Sequence, residues 1–353
     1  MQPVCPSLPS SFLGFFFAVL ATFFCLNPNL PAQSCQTSGD LDDATRSALT
    51  TAGQRYFAMA ARGDSSSMRQ NAVPSLASDF SGIEAAVKDH QKDLADAKPN
   101  LKGVFELTVE GTVPLSHGEF YCGVFGKNGQ TANSAVFYLD GLQPGKYGVV
   151  LFDAASLTAQ ENVSFILEQA GTDWKIGGLY ITPATVAGHN SEWYLAQARE
   201  YQKSGQIHNA WFYFLEAREL ASPLNFMATA ATDNLYDQAH SVNVTDVPVG
   251  GKPADLSAGG TTYKLTSLFP EAVGNDLDLV AKYEVPDAAN TNQAYQSNMA
   301  VINALVAKFP EIRSAFASVV ARAVDANGHD YGTLMPMKDI KSGTTTTAAD
   351  HAK

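Results

Sequence analysis

Six short runs follow one another between residues 102 and 181 with no helical stretch between them: KGVFELTVEG, EFYCGVFG, SAVFYLDG, YGVVLFDA, NVSFILEQ and DWKIGGLYI. Each is rich in β-branched and aromatic residues, and Gly, Asn, Asp or Pro separates one from the next. Strands in direct succession lack the crossover helices that parallel pairing needs, so the pattern predicts an antiparallel sheet. The last two runs, joined through AGTD, predict a hairpin. Helical stretches come first. From Leu41 to Ala61, the residues Leu49, Ala52, Tyr56 and Met59 recur at helical spacing. Asp40, Asp42 and Asp43 stand at its start, where carboxylates suit the helix dipole. A second helix is expected over 75–98, closed by Pro99.

The destination of the chain is written at its other end. The first 34 residues contain no Asp, Glu, Lys, Arg or His, and the apolar run at 12–26 is too short to span a bilayer comfortably. With small residues at Ala32 and Ser34, residues 1–34 read as a signal peptide cleaved after one of those two positions. The alternatives are an uncleaved anchor and lipidation of Cys35, the only two readings that place the chain on a membrane. The expected location is therefore periplasmic or secreted, in a bacterial cell envelope. Net charge is −12 without any Lys/Arg cluster, which disfavours nucleic acid and anionic membrane surfaces as partners. The mature chain keeps Cys35 and Cys122. In an oxidising compartment they either pair, or Cys122 stays a buried thiol beside a lipidated or frayed Cys35.

The element order of 41–183, the YFAMAARGD end of the first helix and the closing strand WKIGGLYI resemble the cone-shaped α+β fold of the nuclear transport factor two-like superfamily. The resemblance implies helices packed on a curved antiparallel sheet that wraps a pocket. It implies no one activity, because that superfamily mixes enzymes, ligand binders and interaction modules. Acid or base candidates within the block are Asp79, His90, His117, Glu119, Asp140 and Asp153. His117 and Asp140 fall in apparent turns and His90 on an apparently solvated helix face, and no nucleophile stands at recognisable spacing from a base.

Residues 191–224 resemble a single tetratricopeptide repeat, through Tyr194, Ala198, Tyr201 and Gly205 in the first helix and its turn, then Ala210, Phe214 and Ala217 in the second. A lone repeat does not bury its own apolar face. One more helix over 225–242 is expected to cap it, giving a helical unit over 190–242. Trp193, Tyr194, Trp211, Phe212 and Tyr213 exceed what one face buries, and are expected to meet another domain or a protein partner.

A Gly/Pro-rich linker is expected at 243–260, a small α+β domain at 261–340 and a disordered tail at 341–353. Asp325, Asn327 and Asp330 resemble part of a calcium loop but lack its closing Glu, so a hairpin turn is the reading. Arg62-Gly63-Asp64 spells an adhesion tripeptide where a helix simply ends. Gly-rich phosphate loops, HExxH, CxxC and G-x-S-x-G are all missing. The fold class expected is α+β: helices on a curved antiparallel sheet, an all-α hairpin, then a small α+β unit. The expected role is non-catalytic binding or scaffolding, with no cofactor, metal or catalytic residue. The alternative is a small hydrophobic ligand bound or isomerised inside the cone-like unit.

Overall fold

The first strand, β1 (Gln33–Thr37), precedes four helices: α1 (Asp43–Ala61), α2 (Ser65–Gln70), α3 (Pro74–Ser78) and α4 (Ser81–Ala95). The computed structural model describes residues 32–125, 130–157 and 159–340, so most of the predicted signal segment and the whole predicted tail lie outside the described residues. Asp42 caps α1 by accepting from the Thr45 N–H at 2.8 Å. Gly63, at φ +70°, ends that helix in the left-handed region. Asp64 then caps α2 through the Ser67 N–H at 3.0 Å, so the Arg-Gly-Asp tripeptide serves as a helix junction. The single helix expected over 75–98 is broken at Asp79–Phe80, where Phe80 turns into the core.

Six strands follow: β2 (Lys98–Val109), β3 (Leu115–Cys122), β4 (Ala135–Leu142), β5 (Gly145–Ala155), β6 (Gln160–Ala170) and β7 (Asp173–Pro183). They do not form one sheet. β1, β2, β5, β6 and β7 make an antiparallel five-stranded sheet in that order, whereas β3 and β4 pair in a second sheet. The helices cover one face of the first sheet, where Leu49, Tyr56 and Phe57 pack with Val150, Phe152 and Phe165. The second sheet lies over the opposite face, where Phe105, Val149 and Leu151 pack with Phe120 and Phe137. A strand buried on both faces needs no polar alternation, which is why β5 reads YGVVLF. Gly53 lets α1 approach that strand: a Cβ there would stand 2.7 Å from Val150 Cγ1.

The two sheets meet at a corner between β1 and β3. Cys35 and Cys122 form a disulfide across it, with their Cα atoms 4.8 Å apart. Beside the bond, the Gln33 carboxamide donates to the Glu119 carbonyl at 3.0 Å and accepts from the Glu119 N–H at 3.3 Å. A side chain there stands in for a missing strand. His117 and Asp140, expected in turns, lie inside β3 and β4 as directly opposite residues.

After a short ribbon, β8 (Thr185–Val186) with β9 (His189–Asn190), come the antiparallel helices α5 (Ser191–Lys203) and α6 (Ile207–Ala221). Ala198 and Ala210 are fully buried where the helices approach. The helix expected over 225–242 is divided: Met227–Thr229 form β10, which pairs antiparallel with β4, and only Ala230–Ser241 form α7. The expected linker is also structured in part. Its Ala254–Ala258 form β11, the edge of a sheet ordered β11, β12 (Thr261–Val273), β13 (Asp276–Glu284), β14 (Ser318–Val324) and β15 (Asp330–Pro336). α8 (Thr291–Lys308) connects β13 to its parallel neighbour β14. The chain is thus mixed α+β, with helices and with sheets that are antiparallel apart from the β13–β14 pair.

The hairpin and the C-terminal sheet share one core, in which Phe212, Phe214 and Leu220 sit among Leu279, Ile302 and Phe316. His208 pins the junction: its Nδ1 lies 2.6 Å from Glu311 Oε1 and its Nε2 2.9 Å from Asp246 Oδ1. Glu216, 4% exposed on α6, is pushed up from 4.5 to about 7, by burial first and then by the charges of Glu219 and Glu271. A carboxyl with a raised folded-state pKa favours the fold while protonated. Its stability contribution is full below pH 4.5 and is lost as pH rises to about 7. The expected loss is about 3 kcal/mol. Melting temperatures at pH 5 and pH 8 should therefore differ more for the wild type than for Glu216→Gln. Equal differences would remove Glu216 as the cause.

Candidate functional site

A cleft of about 870 Å³ opens at the end of the first sheet where β2 begins and β5 ends. Its walls come from those strands and β6, from Asn133 and Ser134 before β4, and from the first residues of α5 and α7. Both helices start there because polar residues cap them: Asn190 accepts from the Trp193 N–H at 3.0 Å, and Thr229 and Thr232 form a reciprocal capping box. Phe105, Leu151 and Met227 give the cleft an apolar part.

Strand register organises the polar part. Asn100 stands opposite Asp153, Asp153 opposite Asn162, and Asn162 opposite Thr182, so one rung crosses β2, β5, β6 and β7. Directly opposite residues share a face, and this rung faces away from the helices. Lys102 Nζ holds Asp153 Oδ2 at 2.9 Å. Asn162 Nδ2 and Thr182 Oγ1 are buried without a hydrogen-bond partner. Leaving such a group unsatisfied costs about 1–3 kcal/mol. Ser164, two residues along β6 from Asn162 and thus on the same face, has its hydroxyl 3.4 Å from the Pro223 carbonyl.

One position from Asn162, Glu161 points to the helix face. His90 Nδ1 lies 2.5 Å from Glu161 Oε1, and Glu161 Oε2 is buried without a partner. His90 was expected on a solvated face. It is instead partly buried, and its hydrogen bond to Glu161 raises its pKa against the opposing effect of burial.

The remaining candidates do not converge. His117 Nδ1 and Asp140 Oδ1 are 2.9 Å apart, but both side chains are largely in solvent. Asp79 accepts from the Ser81 hydroxyl, and Glu119 accepts from the Tyr121 hydroxyl. Asp325 serves its own hairpin. Burial pushes its carboxyl up, but hydrogen bonds from the His329 ring and from the N–H groups of Ala288, His329 and Asn327 hold it down at about 2. Asp330 is tied to Arg322. Among the described residues no group of three or more His, Cys, Asp or Glu is placed to hold a metal ion.

The aromatic cluster on the helical hairpin is internal. Tyr194, Trp211, Phe212 and Tyr213 are buried, and Trp193 is half-buried, stacked on His189 at 3.6 Å. Tyr213 donates to the Ala315 carbonyl at 2.8 Å, and Phe212 packs edge-on to Phe316. Phe212 and Tyr213 thus meet the chain's own C-terminal unit, while Trp193 keeps part of its surface in solvent. The apolar excess of a single hairpin is covered from within.

Of the rung, sequence reasoning named Asp153 alone. Asn100, Asn162 and Thr182 went unnoticed because polar residues near strand ends are ordinary, and only register shows that they share a rung. No protein-family model, curated protein or solved structure matches the chain.

Proposed function

We propose that this is an exported, non-catalytic binding protein of the bacterial cell envelope that holds a small polar ligand in the cleft between its sheets and its helical hairpin. One observation carries the reading: a buried polar atom at the cleft, Asn162 Nδ2, lacks a partner within the protein. Ligand sites combine an apolar lining with a few placed polar groups, as here. The alternative of a small hydrophobic ligand inside a cone-like 41–183 unit has less support, because Tyr56, Phe57, Phe152 and Phe165 fill the space between helices and sheet. Export is supported by the disulfide, a bond of oxidising compartments. Cleavage after Ala32 fits better than after Ser34, since β1 begins at Gln33. The Cys35 sulfur, once in the disulfide, is not open to lipidation.

Native mass spectrometry of protein exported under its own signal tests this. The expected spectrum shows an adduct that is lost on denaturation, and lost also from Ala230→Trp, which places a large ring at the cleft wall from an exposed position. An adduct that persists in Ala230→Trp, or a protein that is empty under all conditions, overturns the reading.

A further inference from the structure

We infer that the ligand of this cleft is a neutral oligosaccharide lying across β2, β5 and β6, with Asn100, Asp153 and Asn162 hydrogen-bonding its successive hydroxyls. The inference rests on the cleft being a binding site. Three features of the rung lead to it.

The first is spacing. Neighbouring strands lie about 4.8 Å apart, close to the length of one pyranose unit along a glycan chain. The part of the rung that lines the cleft crosses three strands and presents hydrogen-bonding side chains at that interval, in a line. The second is the kind of group. Asn100 and Asn162 each donate and accept, and Asp153 accepts. A sugar hydroxyl also does both, so it satisfies any of the three. The unpartnered Asn162 Nδ2 asks for an acceptor. A ligand of a single polarity, a polyamine or a phosphate, serves fewer of them.

The third is charge. Lys102 is paired with Asp153 and His90 with Glu161, while Lys98 and Glu192 contribute one charge of each sign to the lining. No excess of either sign is left to hold an ion. Phe105, Leu151 and Met227 offer apolar surface for the C–H faces of the rings. A site built to hydrogen-bond hydroxyls rejects analogues lacking them.

Isothermal titration calorimetry on the mature, disulfide-bonded protein tests the inference. The probes are neutral oligosaccharides of glucose, mannose, galactose and N-acetylglucosamine, with putrescine and citrate as charged controls. At least one oligosaccharide is expected to bind, more tightly than its own monosaccharide. Asn162→Ala and Asn100→Ala should each weaken it by about tenfold or more. The melting temperature of Asn162→Ala should be unchanged or higher, because the change removes an unpartnered buried group. Affinity unchanged in both variants overturns the inference. So does binding of a charged control with no oligosaccharide bound, which leaves the cleft reading standing. Silence from every probe with a native adduct present rejects the sugar and keeps the cleft. Silence with an empty native mass rejects both.

Discussion

Replacing Cys35 and Cys122 together with alanine should destabilise the protein by roughly 4–5 kcal/mol on the chain-entropy account. The bond joins residues 87 apart in sequence, so it removes a large loop's worth of freedom from the unfolded chain. In the fold it holds β1, the edge of the first sheet, against β3 of the second. The Gln33 carboxamide bridges the same corner beside it. Loss of the disulfide should lower the melting temperature by roughly 10 °C. Thermal melts of oxidised protein, protein with reductant and the double variant give the comparison. The last two should agree with each other and fall well below the first. Coincident melts for all three would show that the corner holds without the bond.

Phe212→Ala should cost about 4 kcal/mol, near the centre of the range for emptying an aromatic site in a core. The ring is fully buried where α6 meets the C-terminal unit, 5.6 Å from the Phe316 ring and 5.1 Å from that of Trp211. Helices on one side and a sheet on the other leave little room for collapse, so a cavity should persist. Chemical denaturation should show a lower midpoint at unchanged slope. The experiment also separates two roles for the aromatic hairpin. A partner-binding face would lose affinity with its stability intact, whereas an internal seam loses stability. A midpoint shift below about 1 kcal/mol would return Phe212 to the partner surface.

The strands from KGVFELTVEG to DWKIGGLYI were legible because β-branched and aromatic runs between turn residues leave few other options. The elements that escaped are those whose identity comes from a distant neighbour. QSCQT and MAT carry no apolar period, and become β1 and β10 only because β2 and β4 offer open edges. The split between the two sheets was likewise invisible, since it depends on which edges meet and not on any strand's own residues. His117 and Asp140 looked like turn residues because glycines flank them, yet strand pairing on an exposed face tolerates both. The candidate site was the least legible part. Its rung is spread over four strands far apart in sequence, and register alone assembles it.

The pairing of β10 with β4 bears on how this chain could be divided. The sequence suggests a cut after residue 183, where the run of strands ends. A fragment ending there would lack Met227–Thr229 and would leave the β4 edge bare. Bare edges recruit other strands, and such a fragment would be prone to stick to its own copies. Ending instead after Thr229 would strip the C-terminal sheet from the hairpin and lay open its aromatic core. Neither cut yields a self-sufficient piece. The divisions that composition suggests are places where the chain changes texture, and in evolution or engineering alike its parts would have to be inherited together.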